Sequence, residues 1–320
     1  MRMLYLSHGS LHTGGYAHEK ELCAAVQTHG CRVFREVRFT QNFKGPFAWL
    51  RLGIKAFREA RQEELIVTVA RLAWPLWLAI RRNPAQKMLL VLHNYDPADG
   101  KPRLYYRLLD GFLTHVARKH PERVRVVCVA PHWQHLFREQ FGVDAFVFPN
   151  VFPDEPYQGI RASAEKNPKL IHLGQWSSKA DLNQYRQLLP ELQRRGYTCF
   201  FSSPVAVDDD TFPVHHFALK TDYLKMVASA AASIILNKVQ EGWSRVAHES
   251  FLLGTPVVCL PGGGLESLVA TGGGTVVKHW SEVAAVLQHP EQMHINYAAL
   301  HAFHSSGAEQ YVQPILQWLH

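Results

Sequence analysis

Short, β-branched apolar runs recur along the whole chain, and between them the apolar positions fall every three or four residues. RMLYLS (2–7), CRVFREV (31–37), LIVTVA (65–70), KMLLVLHN (87–94), VRVVCVA (124–130) and AFVFPN (145–150) read as strands. The helical pattern appears at 16–29, with Leu22, Ala25 and Val26 on one face and Gly30 as its stop, and again at 47–62, 74–82, 103–119 and 132–142. Pro75 falls near the start of its helix, where proline is tolerated. The polar, turn-rich segment PDEPYQGIRASAEKNP (153–168) reads as a linker. The alternation then restarts, with strands at 169–175, 197–203, 232–238, 255–261 and 275–278. Helices are expected at 180–195, 221–230, 243–253, 281–288, 291–304 and over the last dozen residues. Strand–helix alternation on this scale predicts an α/β chain of two Rossmann-like, doubly wound domains, residues 1–158 and 159–320, facing an interdomain cleft. The final helix is free to pack back on the first domain. In such sheets ligands bind beyond the carboxyl ends of the strands, so the loops after each strand are where chemistry is sought.

Composition narrows this picture. At 320 residues and 47% hydrophobic, the chain can bury two cores. The longest apolar stretch, Leu65 to Ile80, contains Arg71 and Pro75 and falls short of the roughly 20 residues a spanning helix needs. The first residues have too short an apolar run for a signal peptide. Five cysteines (Cys23, Cys31, Cys128, Cys199, Cys259), odd in number and without a CxxC pair, argue against a disulfide framework and for a reducing cytoplasm. The net charge of +7 is uneven: residues 1–158 hold 22 Lys and Arg against 14 Asp and Glu, the rest 12 against 13. A basic first half suits an anionic partner, such as a phosphorylated or lipid-linked acceptor or an acidic membrane surface. It equally suits an ordinary solvated surface. The helix at 47–62 sets Phe47, Trp49, Leu50 and Phe57 beside basic residues. It is read either as a peripheral membrane contact or as a helix packed on its sheet. No nucleic-acid-binding motif is present, and nucleic acid is not expected as a partner.

The most informative stretch is ASIILNKVQEGWSRVAHESFLLGTPVVCLPGGGLE (232–266). A strand runs into a short loop with Glu241 and Gly242, a helix begins near Trp243 or Ser244, Glu249 lies on it, and Gly254 ends it before the next strand. The amide end of that helix, at Ser244, Arg245 and Val246, suits a phosphate, and Gly242 lets the backbone approach a ligand. Glu249, about one and a half turns into the helix, could accept hydrogen bonds from ribose hydroxyls.

The run Glu241, Gly242, Trp243, Ser244, then Glu249, Ser250, then Gly254, Pro256, Val257 resembles the signature of retaining GT-B glycosyltransferases, glycosyltransferase family 4 in particular. The resemblance implies that Glu249 binds the donor ribose, that Glu241 contacts the donor sugar near the reacting centre, and that Ser244, Arg245 and Val246 lie along the diphosphate. It also implies a pocket-closing role for Gly262, Gly263 and Glu266. That glycine run is not read as a dinucleotide fingerprint, because position 267 is Ser and for want of the right strand–loop–helix setting, and TGGGTVV (271–277) reads as a turn into a strand. LIHLGQWSSKADL (170–182) matches a second family element, with Gly174 and Lys179 toward the diphosphate. The family often has an arginine where Gln175 or Trp176 stands, and Arg245 is a candidate substitute. Phe217 to Leu219 take the place of the base-contacting loop. In the first half, HTGGYAHEK (12–20) stands where the family has a glycine loop, so Gly14 and Gly15 are expected near phosphate or acceptor. His93 is expected at the reacting centre, with Asp96 and Asp99 beside acceptor hydroxyls.

The activity so implied is transfer of a sugar from a nucleotide diphosphate, used as co-substrate, to a hydroxyl acceptor, with retention. No cofactor or metal is expected, since helix amides and basic side chains take a cation's place. His215 and His216 are read as loop or strand residues, and Asp208 to Asp210 as a solvated loop. The alternatives are a sugar-nucleotide epimerase on the same scaffold, a non-catalytic nucleotide-sugar binder, or an inverting transferase whose base is His18, His93 or Asp96.

Overall fold

The computed structural model describes residues 1–8, 14–29, 33–39, 46–152, 155–177, 179–289, 293–300 and 308–320. The chain divides into two compact units, Met1–Val151 with Gly307–His320, and Phe152–Ser306.

The first unit alternates β1 (Arg2–His8), α1 (Gly14–Thr28), β2 (Val33–Phe39), α2 (Pro46–Ala60), β3 (Leu65–Val69), α3 (Ala73–Ile80), β4 (Lys87–Leu92), α4 (Arg103–Phe112), β5 (Val124–Cys128), α5 (Pro131–Phe141) and β6 (Ala145–Val147). Its six strands are all parallel, in the order β2-β1-β3-β4-β5-β6. Near-continuous burial along β3 and β4 explains their apolar runs, because helices cover both faces of such a sheet. Helix α5 opens on Pro131 and closes on Gly142 at φ 63°, the left-handed turn that glycine adopts without strain. Helix α2 buries Leu52, Ala56 and Ala60, four residues apart, so this face packs inward; the side chains of Phe47, Trp49 and Leu50 lie outside the described residues.

The second unit runs α6 (Tyr157–Ser163), β7 (Asn167–Gln175), α7 (Leu182–Arg194), β8 (Thr198–Ser203), β9 (Val214–His216), α8 (Lys220–Ser229), β10 (Ala230–Ile235), α9 (Arg245–Leu252), β11 (Val257–Cys259), α10 (Gly263–Gly272), β12 (Thr275–Val276), α11 (Val283–Val286) and α12 (Tyr297–Leu300). Its parallel sheet has the order β12-β11-β10-β7-β8-β9, so the strand order reverses between β7 and β10, the crevice where doubly wound sheets bind ligands. Two parallel, doubly wound sheets in one chain match the two Rossmann-like domains of the GT-B fold.

Several boundaries differ from the sequence expectation. The stretch read as a linker carries helix α6 and the start of β7, because Tyr157 buries against Phe152, Tyr223 and Leu252. The division between units falls after Val151 rather than after residue 158. The short strand β9 was not expected as a separate element, and it contains His215 and His216. The last helix, α13 (Ala308–Leu319), belongs to the first unit: Val312 and Ile315 join Met3, Tyr5 and Leu22 in its core, and Lys87 Nζ donates to the Leu319 carbonyl at 3.0 Å.

One buried polar group ties three strands and a helix together. His172 on β7 is fully buried and stacks on Phe200 at 5.0 Å, and its two ring nitrogens lie 3.0 and 3.1 Å from the Ser233 and Ser202 hydroxyls. Ser233 Oγ in turn lies 2.8 Å from Ser250 Oγ on α9. Burial pushes the imidazole pKa from 6.5 down to about 3. The unfolded chain therefore binds a proton that the folded chain refuses. Stability contributed by neutral His172 is whole above pH 6.5 and declines as pH falls toward 3, at a slope of about 1.4 kcal/mol per pH unit. His172→Phe should flatten the pH dependence of denaturant-measured stability over this window by one proton. An unchanged slope would contradict the assignment.

Candidate functional site

The two loops that flank the strand reversal in the second unit are pinned to each other. Beyond β7, Gly174 sits at φ 79°, a backbone conformation other residues resist. Residues Ala180 and Asn237 then form an antiparallel bridge, the Lys238 amide donates to the Lys179 carbonyl at 3.0 Å, and the Asp181 amide donates to the Leu236 carbonyl at 2.8 Å. This brings the backbones of Lys179 and Lys238 side by side, both exposed. Asp181 then caps α7, accepting from the Asn183 and Gln184 amides. Lys238, whose backbone this pairing sets beside Lys179, was not singled out by sequence reading.

Glu241 is held on two sides. Its carbonyl accepts from the Gly264 amide at 2.8 Å, pairing it with the start of α10. Its carboxylate Oε2 accepts from the Asn237 side-chain amide at 2.8 Å, and among the described residues Oε1 makes no hydrogen bond. The glycine-rich loop lies alongside. Gly262 (φ 130°) precedes α10, and its amide donates to Glu266 Oε2 at 2.8 Å. This corrects one ground of the sequence reading, since β11, the glycines and α10 do form a strand–loop–helix unit; Ser267 still breaks the dinucleotide pattern. The turn at 272–274 leads into β12 as expected.

Ser244 caps α9, its hydroxyl accepting from the Ala247 amide at 3.3 Å. The positive end of this eight-residue helix thus lies three residues beyond Glu241. Gly242 and Trp243 are buried, and the Trp243 indole N–H donates to His248 Nδ1 at 3.2 Å, so this aromatic ring packs inward. Arg245 lays its guanidinium over the Phe152 ring at 4.5 Å, and the half-buried Val246 carbonyl accepts from Ser250.

Glu249 is 4% exposed. Its Oε1 lies 2.6 Å from Lys220 Nζ at the start of α8 and 3.4 Å from the Tyr157 hydroxyl. Burial first, and the Glu249 charge second, hold the Tyr223 phenol well above its ordinary range, so it remains protonated. Lys220, Tyr157 and Tyr223 were invisible in sequence because they lie 29, 92 and 26 positions from Glu249. Phe217, half-buried, packs on Phe200 and Tyr223, and its amide donates to the Ser203 carbonyl at 2.9 Å.

In the first unit, His93 follows β4 and Gly15 lies in the first turn of α1, close to the His93 ring. Gly14 belongs to the same helix; residues 9–13 lie outside the described residues. Asp96 is buried and accepts from the Ala98 amide at 2.9 Å. Asp99 pairs with Lys101, whose hydrogen bond holds the Asp99 carboxyl below its ordinary range against the opposing effect of burial. Both carboxylates therefore shape the loop in which they sit. Asp209 likewise caps its own turn, accepting from the Thr211 amide. Among the described residues no group of three or more His, Cys, Asp or Glu is placed to hold a metal ion, and no helix is long and apolar enough to cross a membrane.

Solved structures with this fold include Anabaena Alr3699/HepE in complex with UDP-glucose, at 15% identity over 99% of both chains with a TM-score of 0.72. Sucrose-phosphate synthase from Thermosynechococcus elongatus matches at 13% identity over 100% of this chain and 99% of that one, TM-score 0.74. The UDP-GlcNAc 2-epimerase from Methanocaldococcus jannaschii matches at 10% identity over 99% and 100%, TM-score 0.59. No family model matches the sequence, and no curated protein matches it.

Proposed function

We propose that this protein transfers a sugar from a nucleoside diphosphate to a hydroxyl acceptor, with retention and without a metal. The observation that carries the reading is the pinning of the Lys179 loop to the loop that delivers Glu241 and the α9 amide end, at the strand reversal of the second sheet. A diphosphate there meets the helix dipole and two lysine charges. Leaving-group charge in an oxocarbenium-like transition state is thereby stabilised without a metal ion. Glu249 receives the ribose hydroxyls beside Lys220, and Glu241 presents Oε1 to the donor sugar. Gly174 and Gly242 give the backbone approach, Phe217 borders the base, and His93 with Gly15 serves the reacting hydroxyls. The UDP-glucose complex of the similar HepE structure supports a uridine diphosphate sugar as the first donor to test.

A donor screen by thermal shift decides the first step, since a ligand bound only by the folded state raises apparent stability. Nucleoside diphosphate sugars should raise Tm, and an acceptor should release free nucleoside diphosphate with the anomeric configuration kept. No shift with any such donor would overturn the reading. Conversion of donor to its epimer without acceptor would favour the second reading, which the fold match to the UDP-GlcNAc 2-epimerase motivates.

A further inference from the structure

His93 is gripped from one side by helix α1. A Cβ built on Gly15 would lie 3.1 Å from His93 Nε2, so a side chain there would require the ring to give by a few tenths of an ångström. The His18 ring meets it edge-on at 5.1 Å, itself anchored by a hydrogen bond between Nε2 and the Phe148 carbonyl. His93 Nε2 lies 2.7 Å from Oε1 of Glu19, a residue of the HTGGYAHEK stretch that was given no role from sequence. The second oxygen of Glu19 accepts the Tyr5 phenol at 2.5 Å. Tyr5 is fully buried, and burial first and the Glu19 charge second hold its phenol above the ordinary range, so it stays a donor. The Glu19 side chain is 8% exposed, against 28% for His93. A buried carboxylate therefore has one oxygen on a buried phenol and the other on a ring that remains partly open.

We infer that Glu19 is a positioning residue for glycosyl transfer, setting the proton of His93. A carboxylate accepts only, so the neutral ring must carry its proton on Nε2, which leaves Nδ1 with a lone pair. That nitrogen accepts a hydrogen bond from a hydroxyl of the sugar donor or acceptor. A hydroxyl that donates to Nδ1 keeps its oxygen lone pairs available for attack. The opposite tautomer would present N–H and tie those lone pairs up. Tyr5 holds the carboxylate in line, and Gly15 lets the helix close on the ring. The inference rests on the glycosyl-transfer reading for its kinetic consequence, while the tautomer itself is independent of it.

The test uses the full chain labelled with ¹⁵N-histidine. At alkaline pH, long-range proton–nitrogen correlation should show His93, assigned by its loss in His93→Gln, as a single Nε2–H tautomer. Glu19→Gln can accept or donate, so the signal should become mixed or reversed. With the sugar nucleotide from the donor screen, its kcat should fall by about 10–100-fold with donor KM changed less than about twofold. Tyr5→Phe keeps the packing and should lower kcat by roughly 3–10-fold. A proton on Nδ1 in the wild-type protein, or wild-type kcat in folded Glu19→Gln, would overturn the inference. If no sugar nucleotide is turned over by the wild-type protein, glycosyl transfer fails, and the tautomer measurement still decides whether Glu19 sets the His93 proton.

Discussion

Glu241→Gln should lower turnover by about 100–1,000-fold while leaving nucleoside diphosphate affinity within about twofold of the wild-type value. The substitution preserves shape, and the new amide oxygen can still accept from Asn237, which now holds Oε2 at 2.8 Å. The backbone pairing of residue 241 with 263 is untouched. In the proposed mechanism what disappears is a negative charge beside a developing oxocarbenium ion, an interaction strongest in the transition state, so kcat should fall with little change in ground-state binding. Steady-state kinetics paired with calorimetric titration of the nucleotide separates the two. Normal turnover in a well-folded variant would remove Glu241 from the reacting centre.

The second large effect concerns Glu249 and Lys220. Glu249→Leu should weaken nucleotide binding by roughly 10–150-fold, the loss of charge-assisted hydrogen bonds to ribose of about 1.5–3 kcal/mol. Lys220→Met should instead act on the fold, destabilising the unliganded protein by roughly 1–3 kcal/mol. The ion pair contributes little by itself, because the Lys220 side chain is 57% exposed and water screens it. The cost arises from the Glu249 carboxylate, its side chain 5% exposed, left with the Tyr157 hydroxyl at 3.4 Å. Removing the charge as well, in Lys220→Met with Glu249→Gln, should recover most of that stability. A denaturant-based double-mutant cycle tests this; additive losses would show that the two side chains act separately.

The fold class was legible because parallel strands buried on both faces must be written as apolar runs. Stretches such as LIVTV, KMLLVL and AAASII admit few other readings once helices of matching length lie between them. The stretch 232–266 was legible as a site for a local reason: strand end, glycine, helix cap and two glutamates lie within one strand–loop–helix passage. The stretch read as a linker misled because Tyr157, among turn-forming residues, is recruited into a distant apolar cluster. The glycine run at 262–264 misled because its helix begins on glycines, which carry no helical signal.

Sequence alone thus determined two doubly wound domains and the order of chemical groups along the loop from Asn237 to Glu249, since both follow from neighbours in the chain. Tertiary structure alone decided which groups complete them. Lys220 and Tyr157 meet Glu249, Lys238 meets the Lys179 loop, Glu19 and Tyr5 stand behind His93, and the last helix returns to the first core. The physical reason is that hydrophobic periodicity records which face of an element is buried but not against which partner. A buried carboxylate requires a donor, and the sequence does not say which one the packing will supply.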